Sequence, residues 1–339
     1  MRAVVITRHG GPDVLEVREM PDPVPGPGEV RIAVKASGIN FADLMARMGL
    51  YPEAPKPPSV VGYEVAGVVD MLGPGVTRWA VGDRVLSPTM FGGYASLAIA
   101  KADGIVLLAH GLSFAQGAAI PVNYATAYQL LHHMGSLKAG ESVYIGAAAG
   151  GVGLAAVDLV LAAGAQPIGQ ASESKHAFLR ERGVKDLIGR EEAALAGIRR
   201  LTGGRGVDLF LDSEGGPGLR DAYAALAPGG RLMMFGVSSL APGSRRNLFA
   251  ALNGLLRMPR FKPIDLMNDN KGVLGVNMNS LGRAAPELYV RHMQALMALY
   301  ERGALRPFVD AEFPPERAGE AHQLIHDRKN RGKVVIAWP

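Results

Sequence analysis

The segment VYIGAAAGGVGLAAVDLVLAAGA, residues 143–165, constrains the fold of this chain more than any other stretch. It is long and apolar enough to raise the question of a membrane span. However, Asp158 lies inside it, and the glycines at positions 150, 151 and 153 would end a helix early. The run before the glycines is typical of a strand and the run after them of a helix. The segment therefore predicts a strand, a tight turn and a helix beginning near Val152.

Strand-like and helix-like runs alternate on both sides of this turn, from near Pro121 onward, through VDLFLDS and RLMMFGV. This alternation predicts an α/β fold with a doubly wound parallel sheet of the Rossmann type. The preceding residues form short valine-rich runs bounded by glycine and proline, which predicts a compact and mostly antiparallel β domain. A chain of 339 residues is also too long for one ordinary core, so we expect two domains.

Composition excludes several classes of protein. The formal net charge is only +5, and no cluster of basic residues alternates with aromatic ones, so we expect no nucleic-acid partner. The absence of cysteine excludes disulfides and every zinc site built on thiolates. The apolar run that opens the sequence is too short for a signal peptide, which predicts a cytoplasmic protein.

The turn AAAGGVG keeps the spacing of a dinucleotide-binding fingerprint, with Ala148 in the place of the first glycine. Gly150 would let the backbone approach a pyrophosphate, and Gly153 would let the helix pack on the strand. The amides of Gly151, Val152 and Gly153 would then face the anion at the helix N-terminus. We predict a dinucleotide site here; a tight turn without a ligand is the alternative.

The end of the second strand bears on the choice of cofactor. Gln170 stands where an NAD-binding protein usually offers a carboxylate to the ribose. Ser172 and Lys175 follow and suit a 2′-phosphate, although Glu173 would repel it. The pattern favours NADPH, with NADH as the alternative cofactor and a solvated surface lysine as the alternative interpretation of Lys175.

Motifs spread over the whole chain carry a family resemblance, among them PGPGEVRI, GINFADLMARMGLYP, GYEVAGVV, NYATAYQLL and AAAGGVG. The chain resembles the medium-chain dehydrogenase/reductase superfamily, in its zinc-independent quinone oxidoreductase branch. Through LMNDNKGVLGVNM and DRKNRGKVV it is similar to the vesicle amine transport protein homologues. The resemblance implies a GroES-like, mostly β catalytic domain over 1–122 and 278–339 around a Rossmann domain over 123–277. It also implies a nicotinamide cleft between the domains, and homodimers joined by edge strands.

The same resemblance bears on zinc. Zinc-dependent members place a cysteine in the segment that matches ASGIN and a histidine where this chain has Tyr63, before Glu64. Those ligands and the lobe of four structural cysteines are missing here. We therefore expect no metal site and no zinc-assisted alcohol oxidation.

Without a metal, a hydride is best accepted by a group that disperses the resulting charge itself, such as a quinone or a C=C bond conjugated to a carbonyl. The resemblance implies that Asn40 and Thr126 lie near the nicotinamide. It also implies that Tyr51 acts on the substrate as a proton or hydrogen-bond donor, and Tyr63 could line the cleft. As alternatives, Asn40 could only cap a helix, Tyr51 could only pack at a turn, and Tyr63 could be structural.

Further cofactor contacts follow from the resemblance alone. Two strand ends, MFGV and GVNM, would lie beside the nicotinamide, and basic residues would approach the adenosine phosphate. A tyrosine expected in an NYR-like motif is replaced by Gly189. The residues implied are Gly236, Val237, Val276, Asn277, Arg190 and Arg328.

An insertion over residues 244–262 is amphipathic, with Leu248, Phe249, Leu252, Leu255 and Leu256 on one helical face. We favour a helix that covers the cleft or the domain seam. A substrate lid is one alternative, with Arg245, Arg246, Arg257 or Arg260 meeting an anionic group such as the phosphates of coenzyme A. Contact with a membrane surface is a less favoured alternative.

These observations predict an NAD(P)H-dependent reductase that transfers a hydride to a quinone, an alkenone or alkenal, or an enoyl-CoA thioester. The alternative is a nucleotide-binding protein with little catalysis that acts through a partner or a membrane surface. A zinc alcohol dehydrogenase is the weakest hypothesis.

Overall fold

The structure is a computed structural model that describes residues 1–240, 243 and 248–339. The strands are β1 (Arg2–Ile6), β2 (Leu15–Glu19), β3 (Glu29–Ile39), β4 (Glu64–Leu72), β5 (Arg84–Pro88), β6 (Leu97–Lys101), β7 (Val106–Leu107), β8 (Ser142–Ile145), β9 (Gln166–Ala171), β10 (Asp186–Gly189), β11 (Val207–Asp212), β12 (Leu226–Met234), β13 (Gly272–Gly275), β14 (Val309–Phe313) and β15 (Lys333–Ala337). The helices are α1 (Phe41–Met48), α2 (Phe114–Gly117), α3 (Asn123–Tyr128), α4 (Gly151–Ala162), α5 (His176–Glu181), α6 (Ala194–Leu201), α7 (Leu219–Ala224), α8 (Leu248–Leu256), α9 (Pro263–Asp269), α10 (Met278–Ala284), α11 (Pro286–Glu301) and α12 (Ala318–His326).

The middle of the chain forms a parallel sheet in the order β10-β9-β8-β11-β12-β13, counted over the described residues. Every residue of β11 is buried, as expected for a parallel strand covered by helices on both faces. Apolar clusters lie on either side of the sheet, one with Leu154 of α4 and one with Ile198 of α6. The strand order reverses between β8 and β11, where such sheets bind ligands at their carboxyl edge. The predicted doubly wound Rossmann sheet is confirmed.

A second sheet joins the two ends of the chain, in the order β14-β15-β3-β4-β5-β7 with β6 also paired to β3. Most of its pairs are antiparallel, and β15 lies against β3 with Val334 opposite Ile39. Burial alternates along the first part of β3, which places every second side chain in the core. The predicted mostly β domain, built from both ends of the chain, is therefore present. The domain boundaries at 122 and 278 stay a prediction.

The apolar segment of residues 143–165 folds as β8, the glycine turn and α4, so the predicted strand, turn and helix are confirmed. The helix begins at Gly151, one residue before the predicted start. Asp158 is buried in it, and its carboxylate accepts hydrogen bonds from the Tyr124 hydroxyl at 2.7 Å, from Arg182 at 3.2 Å and from the Arg306 amide at 2.7 Å. Across the described ranges, the structure contains no helix long and apolar enough to cross a membrane.

The amphipathic insertion is described from α8 onward, so Arg245 and Arg246 lie outside the described residues. Four of the five apolar side chains predicted to share a face of this helix are described, and all four are exposed; the Leu248 side chain lies outside the described residues. Phe249 is 83% exposed and Leu256 is 76% exposed, and Leu252 and Leu255 are also exposed. The prediction that this face covers the cleft or the domain seam is therefore wrong, because the helix turns its apolar residues outward.

Candidate active site

The glycine turn between β8 and α4 forms an anion-binding cradle. Gly150 precedes the helix with an extended backbone, and the amides of the first helical turn have no carbonyl partners within the helix. A Cβ at Gly151 would collide with the side chain of Asn123, and a Cβ at Gly153 would collide with the carbonyl oxygen of Ala147. Only glycine allows this close approach, and the helix N-terminus is free to attract a phosphate.

The predicted 2′-phosphate residues lie between β9 and the C-terminal segment. The Lys175 ammonium donates hydrogen bonds to the carbonyl oxygens of Arg328 and Asn330 at 2.7 and 2.6 Å. One of its three donors remains for a ligand. Burial lowers the pKa of Lys175, and the positive charges of Arg190 and Arg331 lower it further, whereas Asp310 opposes them. The predicted Lys175 and Arg190 thus share one electropositive region.

The C-terminal segment reaches this region because it contacts the glycine turn itself. The Gly332 amide donates to the Ala149 carbonyl at 2.7 Å. Arg331, which the sequence analysis missed, is brought there with its guanidinium on Asp310 at 3.3 Å. Arg328 is exposed and lies 3.9 Å from the carboxylate of Glu214. Ser172 is half-buried, with its hydroxyl 3.3 Å from that of Ser174.

Gln170 does not face a ribose site. Its amide nitrogen donates to the carbonyl oxygens of Gly189 and Glu192 at 3.1 and 2.8 Å, and its amide oxygen accepts from the Tyr144 hydroxyl. The side chain is therefore held within the sheet domain, and the position offers no carboxylate to the ribose hydroxyls of NAD.

Asn40 belongs to a buried network with Glu64 and Lys333. The Asn40 amide nitrogen donates to Glu64 at 2.8 Å, and its oxygen accepts from the Lys333 ammonium at 2.7 Å. Lys333 also forms an ion pair with Glu64. The second oxygen of Glu64 accepts from the Val122 amide at 2.7 Å, where the chain enters the Rossmann domain. Asn40 also precedes α1, where its backbone N–H donates to the Asp43 carboxylate at 2.8 Å. Its side chain, however, does more than cap this helix, because it joins Glu64 and Lys333.

Lys333 is a site residue that the sequence analysis missed. It is 2% exposed, and it opens the otherwise apolar strand β15. A lysine is almost never fully buried unless it is paired. A lysine at the start of an apolar strand, in the motif RGKVV, indicates a paired and buried charge, but the sequence does not show which residues pair with Lys333.

Two tyrosines line the cleft side of the catalytic domain. The rings of Tyr51 and Tyr63 meet edge to face, with centroids 6.1 Å apart. The Tyr51 hydroxyl accepts a hydrogen bond from the Asn279 amide at 2.9 Å, which joins it to the residues that follow β13. The Tyr63 hydroxyl is buried and makes no hydrogen bond of ordinary length and angle among the described residues, but the Asn279 side chain lies close enough to lower its pKa against the effect of burial. Burial raises the pKa of both phenols, so both are protonated at neutral pH and can donate.

Four of the predicted nicotinamide residues follow the ends of β12 and β13, at the carboxyl edge of the sheet. Val237 packs against Met45 and Met48 of the catalytic domain, and the backbone at Gly236 lies too close to Ser213 to admit a side chain. The other predicted positions are Thr126, buried on α3, Val276, half-buried, and Asn277, exposed. The Asn277 side chain accepts from the Ser280 amide at 3.1 Å and so begins α10.

The described part of the chain contains no group of three side chains placed to hold a metal ion. His322 and His326 lie four residues apart on α12, a spacing that two metal ligands could use. However, His322 is fully buried, and its ring nitrogen lies 3.1 Å from the Tyr94 hydroxyl. The pair therefore serves the packing of the catalytic domain.

A surface depression of about 300 Å³ lies beside the insertion. Its charged lining is mixed, with the cations Arg220, Arg260 and Lys262 and the carboxylates Asp265 and Asp269. It lies outside the set of residues predicted to contact the nicotinamide. Of the arginines predicted to meet an anionic group, Arg260 lines this depression, whereas Arg257 is exposed outside it.

Comparison with known protein families identifies the family to which the chain belongs. Residues 26–127 match the model of the alcohol dehydrogenase GroES-like domain, and residues 182–336 match a model described as zinc-binding dehydrogenase. The zebrafish (Danio rerio) synaptic vesicle membrane protein VAT-1 homolog is 35% identical over 338 residues, which cover 99% of this chain and 69% of the relative. The chain belongs to the medium-chain dehydrogenase/reductase superfamily, in its zinc-independent quinone oxidoreductase branch. The resemblance inferred from the sequence motifs is confirmed.

Solved structures agree with this membership. The structure of Escherichia coli quinone oxidoreductase complexed with NADPH superimposes with a TM-score of 0.87 at 29% identity, over 100% of each chain. The structure of CurK enoyl reductase superimposes with a TM-score of 0.86 at 26% identity, over 100% of this chain and 99% of the other. The superfamily fold, a GroES-like domain with a Rossmann domain, is thus the fold of this chain.

Proposed function

We propose that the protein is an NADPH-dependent reductase of conjugated carbonyl acceptors that works without a metal. The observation that carries the proposal is the meeting of two protonated phenols with the carboxyl edge of the Rossmann sheet. Tyr51 is joined to Asn279 by a hydrogen bond of 2.9 Å. A cleft of this kind can hold an acceptor and stabilise negative charge on its oxygen.

Residues of this chain that would hold NADPH are those of the glycine cradle and the electropositive region. The amides of the first turn of α4 would face the pyrophosphate, and Lys175 with Arg190 would face the 2′-phosphate. The structure of the E. coli relative with NADPH supports this choice of cofactor. When bound, NADPH supplies a hydride.

Reduction of a conjugated carbonyl creates negative charge on the carbonyl oxygen, which a phenol can stabilise. As a C–H bond forms at the β-carbon, the electron pair of the C=C π bond shifts to join the α-carbon to the carbonyl carbon, and the C=O π pair moves onto the oxygen. The Tyr51 hydroxyl would donate a hydrogen bond to that oxygen, and the Tyr63 ring packs against the Tyr51 ring. A proton from solvent then completes the product at the α-carbon. One hydrogen-bond donor of this kind contributes about 10²–10³-fold to the rate.

The Asn40–Glu64–Lys333 network positions the nicotinamide side of the cleft. Asn40 is held at both ends of its amide, by Glu64 and by Lys333, so one N–H remains to meet a ligand. Because Glu64 also binds the Val122 amide, the network fixes the catalytic sheet to the start of the Rossmann domain. This rigidity preorganises the site.

Three acceptor classes fit this site: quinones, alkenones or alkenals, and enoyl-CoA thioesters. The two solved relatives are a quinone oxidoreductase and an enoyl reductase, which supports the first and the last of these classes. Arg260 and Lys262 at the surface depression offer charges that suit the phosphates of a coenzyme A thioester, although Asp265 and Asp269 in the same lining oppose them.

The test is the oxidation of NADPH and of NADH, measured with a panel of all three acceptor classes. We expect turnover with at least one class and a preference for NADPH. Tyr51→Phe should lower kcat about 10²-fold for C=C acceptors, because one donor to the developing oxyanion is lost. No turnover with any acceptor would overturn the proposal.

The outward apolar face of α8 supports a second candidate, in which the protein acts at a membrane surface through this helix. The exposed Phe249, Leu252, Leu255 and Leu256 are followed by Arg257, a pattern that suits an anionic lipid layer. The VAT-1 relative is named as a synaptic vesicle membrane protein, which is consistent with this candidate.

A flotation assay with anionic liposomes tests the second candidate. If it is correct, the protein floats with the vesicles and the double variant Phe249→Asp/Leu256→Asp does not. The matched control is Val81→Asp, an exposed apolar position of the catalytic domain. Absence of flotation at low salt would overturn the candidate.

The same family membership supports a homodimer. The strand β13 is the last strand of the parallel sheet over the described residues, so two copies could pair there. Light scattering after size exclusion distinguishes a dimer from a monomer.

A further inference from the structure

Asn279 holds a fixed place at the edge of the cleft. It is the second residue of α10, which follows β13 after a short turn. The Asn277 side chain accepts from the Ser280 amide at 3.1 Å and so fixes the first turn of this helix. Asn279 is thus presented from the Rossmann side toward the catalytic domain.

The hydrogen bond between Asn279 and Tyr51 has a direction. The amide nitrogen of Asn279 lies 2.9 Å from the Tyr51 hydroxyl oxygen, and an amide N–H can only donate. The phenol oxygen is therefore the acceptor, and its own proton points away from Asn279. A phenol has only one proton, so this contact leaves it available for a second partner.

The surroundings keep this contact in place. Glu53 and Arg283, each close in sequence to one of the two partners, form an ion pair at 2.9 Å between the same two segments. The Tyr63 ring packs edge to face on the Tyr51 ring and limits its rotation. The Tyr51 side chain is half-buried, so part of it remains accessible to a ligand.

We propose that Asn279 is a positioning residue for the reductase reaction: its amide holds the Tyr51 hydroxyl as an acceptor and turns the phenol proton toward the acceptor's oxygen. The role in turnover rests on the proposed function. The direction of the hydrogen bond is a property of the chain itself and is tested separately below.

The first experiment compares kcat of Asn279→Asp, Tyr51→Phe and the double variant. A carboxylate can only accept, so Asn279→Asp would draw the phenol proton onto itself. We expect kcat to fall about 10²-fold, as for Tyr51→Phe, with no further loss in the double variant. The affinity for NADPH should not change, and Ser280→Ala, an exposed neighbour on α10, should behave as wild type.

The pH dependence of kcat distinguishes a positioning role of Asn279 from a purely structural one. In Asn279→Asp, protonation of the new carboxyl at low pH restores a donor, so kcat should rise toward the wild-type value as the pH falls. A flat profile, a wild-type kcat for Asn279→Asp, or additive losses in the double variant would each overturn the proposal.

The second experiment does not depend on turnover. A fluorinated tyrosine at position 51 brings the phenol pKa into a range that the protein tolerates, and ¹⁹F NMR follows its titration. Loss of the Asn279 donor should raise that pKa in Asn279→Ala and raise it more in Asn279→Asp. An unchanged pKa in both variants would overturn the proposed direction of the bond. If no acceptor is turned over, the proposed function fails and the positioning role fails with it, while the titration still decides the direction of the bond.

Discussion

The ammonium of Lys333, in the last strand, lies 2.7 Å from the side-chain oxygen of Asn40, which is 293 residues earlier in the chain. Both groups are buried, and Glu64 completes the network between them. The contact therefore joins the two separated parts of the catalytic domain at the point where the nicotinamide is proposed to bind.

Replacing Lys333 by methionine should destabilise the fold strongly. The change leaves the Glu64 carboxylate buried without its cation, and breaking a buried pair from one side costs about 3–5 kcal/mol. Urea denaturation measures the free energy of unfolding. The double variant Lys333→Met/Glu64→Gln should recover part of the loss. A loss below about 1 kcal/mol in Lys333→Met would show that the network does not hold the domain together.

Replacing Lys175 by alanine should weaken the binding of NADPH more than that of NADH. A hydrogen bond to a charged group contributes about 1.5–3 kcal/mol, which corresponds to about 10–100-fold in Kd. Isothermal titration calorimetry measures both ligands, and Lys185→Ala, an exposed lysine of the same domain, is the control. Equal losses for the two cofactors would contradict a 2′-phosphate site at Lys175.

A methyl group at Gly153 should abolish close binding of the dinucleotide. Its Cβ would collide with the Ala147 carbonyl and push the turn away from α4. We expect Kd for NADPH to rise at least about tenfold, because the helix amides no longer point at the pyrophosphate. Gly218→Ala is the matched control, since a Cβ there meets nothing within 4 Å. Unchanged binding in Gly153→Ala would argue against the cradle.

Asp212 and Asp208, both on β11, should affect the pH dependence of the free energy of unfolding in opposite directions. Burial raises the pKa of Asp212 from 3.8 to about 6, against a hydrogen bond from the Gly215 amide. Its native state binds a proton more tightly than the unfolded state, so this contribution to stability is complete below about 3.8 and is lost as the pH rises through about 6. The loss amounts to about 3 kcal/mol. Denaturation from pH 4 to 7 should show this decline, and Asp212→Asn should reduce it. The buried carboxyl of Asp43, whose pKa burial raises to about 7, contributes to the decline that remains.

Asp208 provides the internal comparison for that measurement. Burial raises its pKa, but hydrogen bonds from Arg205 and Ser142 outweigh burial and leave the pKa at about 2. Its stabilising contribution is therefore present above the ordinary value of 3.8 and is lost as the pH falls through about 2. Asp208→Asn should lower stability at neutral pH and leave the decline between pH 4 and 7 in place. If Asp208→Asn instead removed that decline, the assignment to Asp212 would be wrong.

Local sequence signals predicted the Rossmann half of this fold, since each of its parts is encoded within a few residues. The glycine turn, the apolar strands and the helix α4 follow from spacing and periodicity alone. The turn needs glycine at 153 because the backbone of Ala147 leaves no room for a side chain. The sequence shows this requirement as a glycine at a fixed distance after the strand, the spacing of the dinucleotide-binding fingerprint.

The partners of the candidate catalytic residues could not be predicted in the same way. Asn40 meets Lys333, and Tyr51 meets Asn279, through contacts that only tertiary packing creates. The exposure of Phe249 was also missed, because a pattern of apolar residues on one helical face shows that the face is apolar but not which way it points. The partners of Asn40 and Tyr51 and the orientation of α8 all depend on tertiary packing between distant parts of the chain.

The most direct test of the central claim follows the hydrogen that leaves the cofactor. Purified protein is given NADPH deuterated at the transferred position of nicotinamide C4 and a conjugated enone, in the presence of a strong chelator. The account predicts one deuterium at the β-carbon of the product for each NADPH consumed, at a rate that the chelator does not change. Unlabelled product, or turnover that stops with the chelator and returns with zinc, would contradict it.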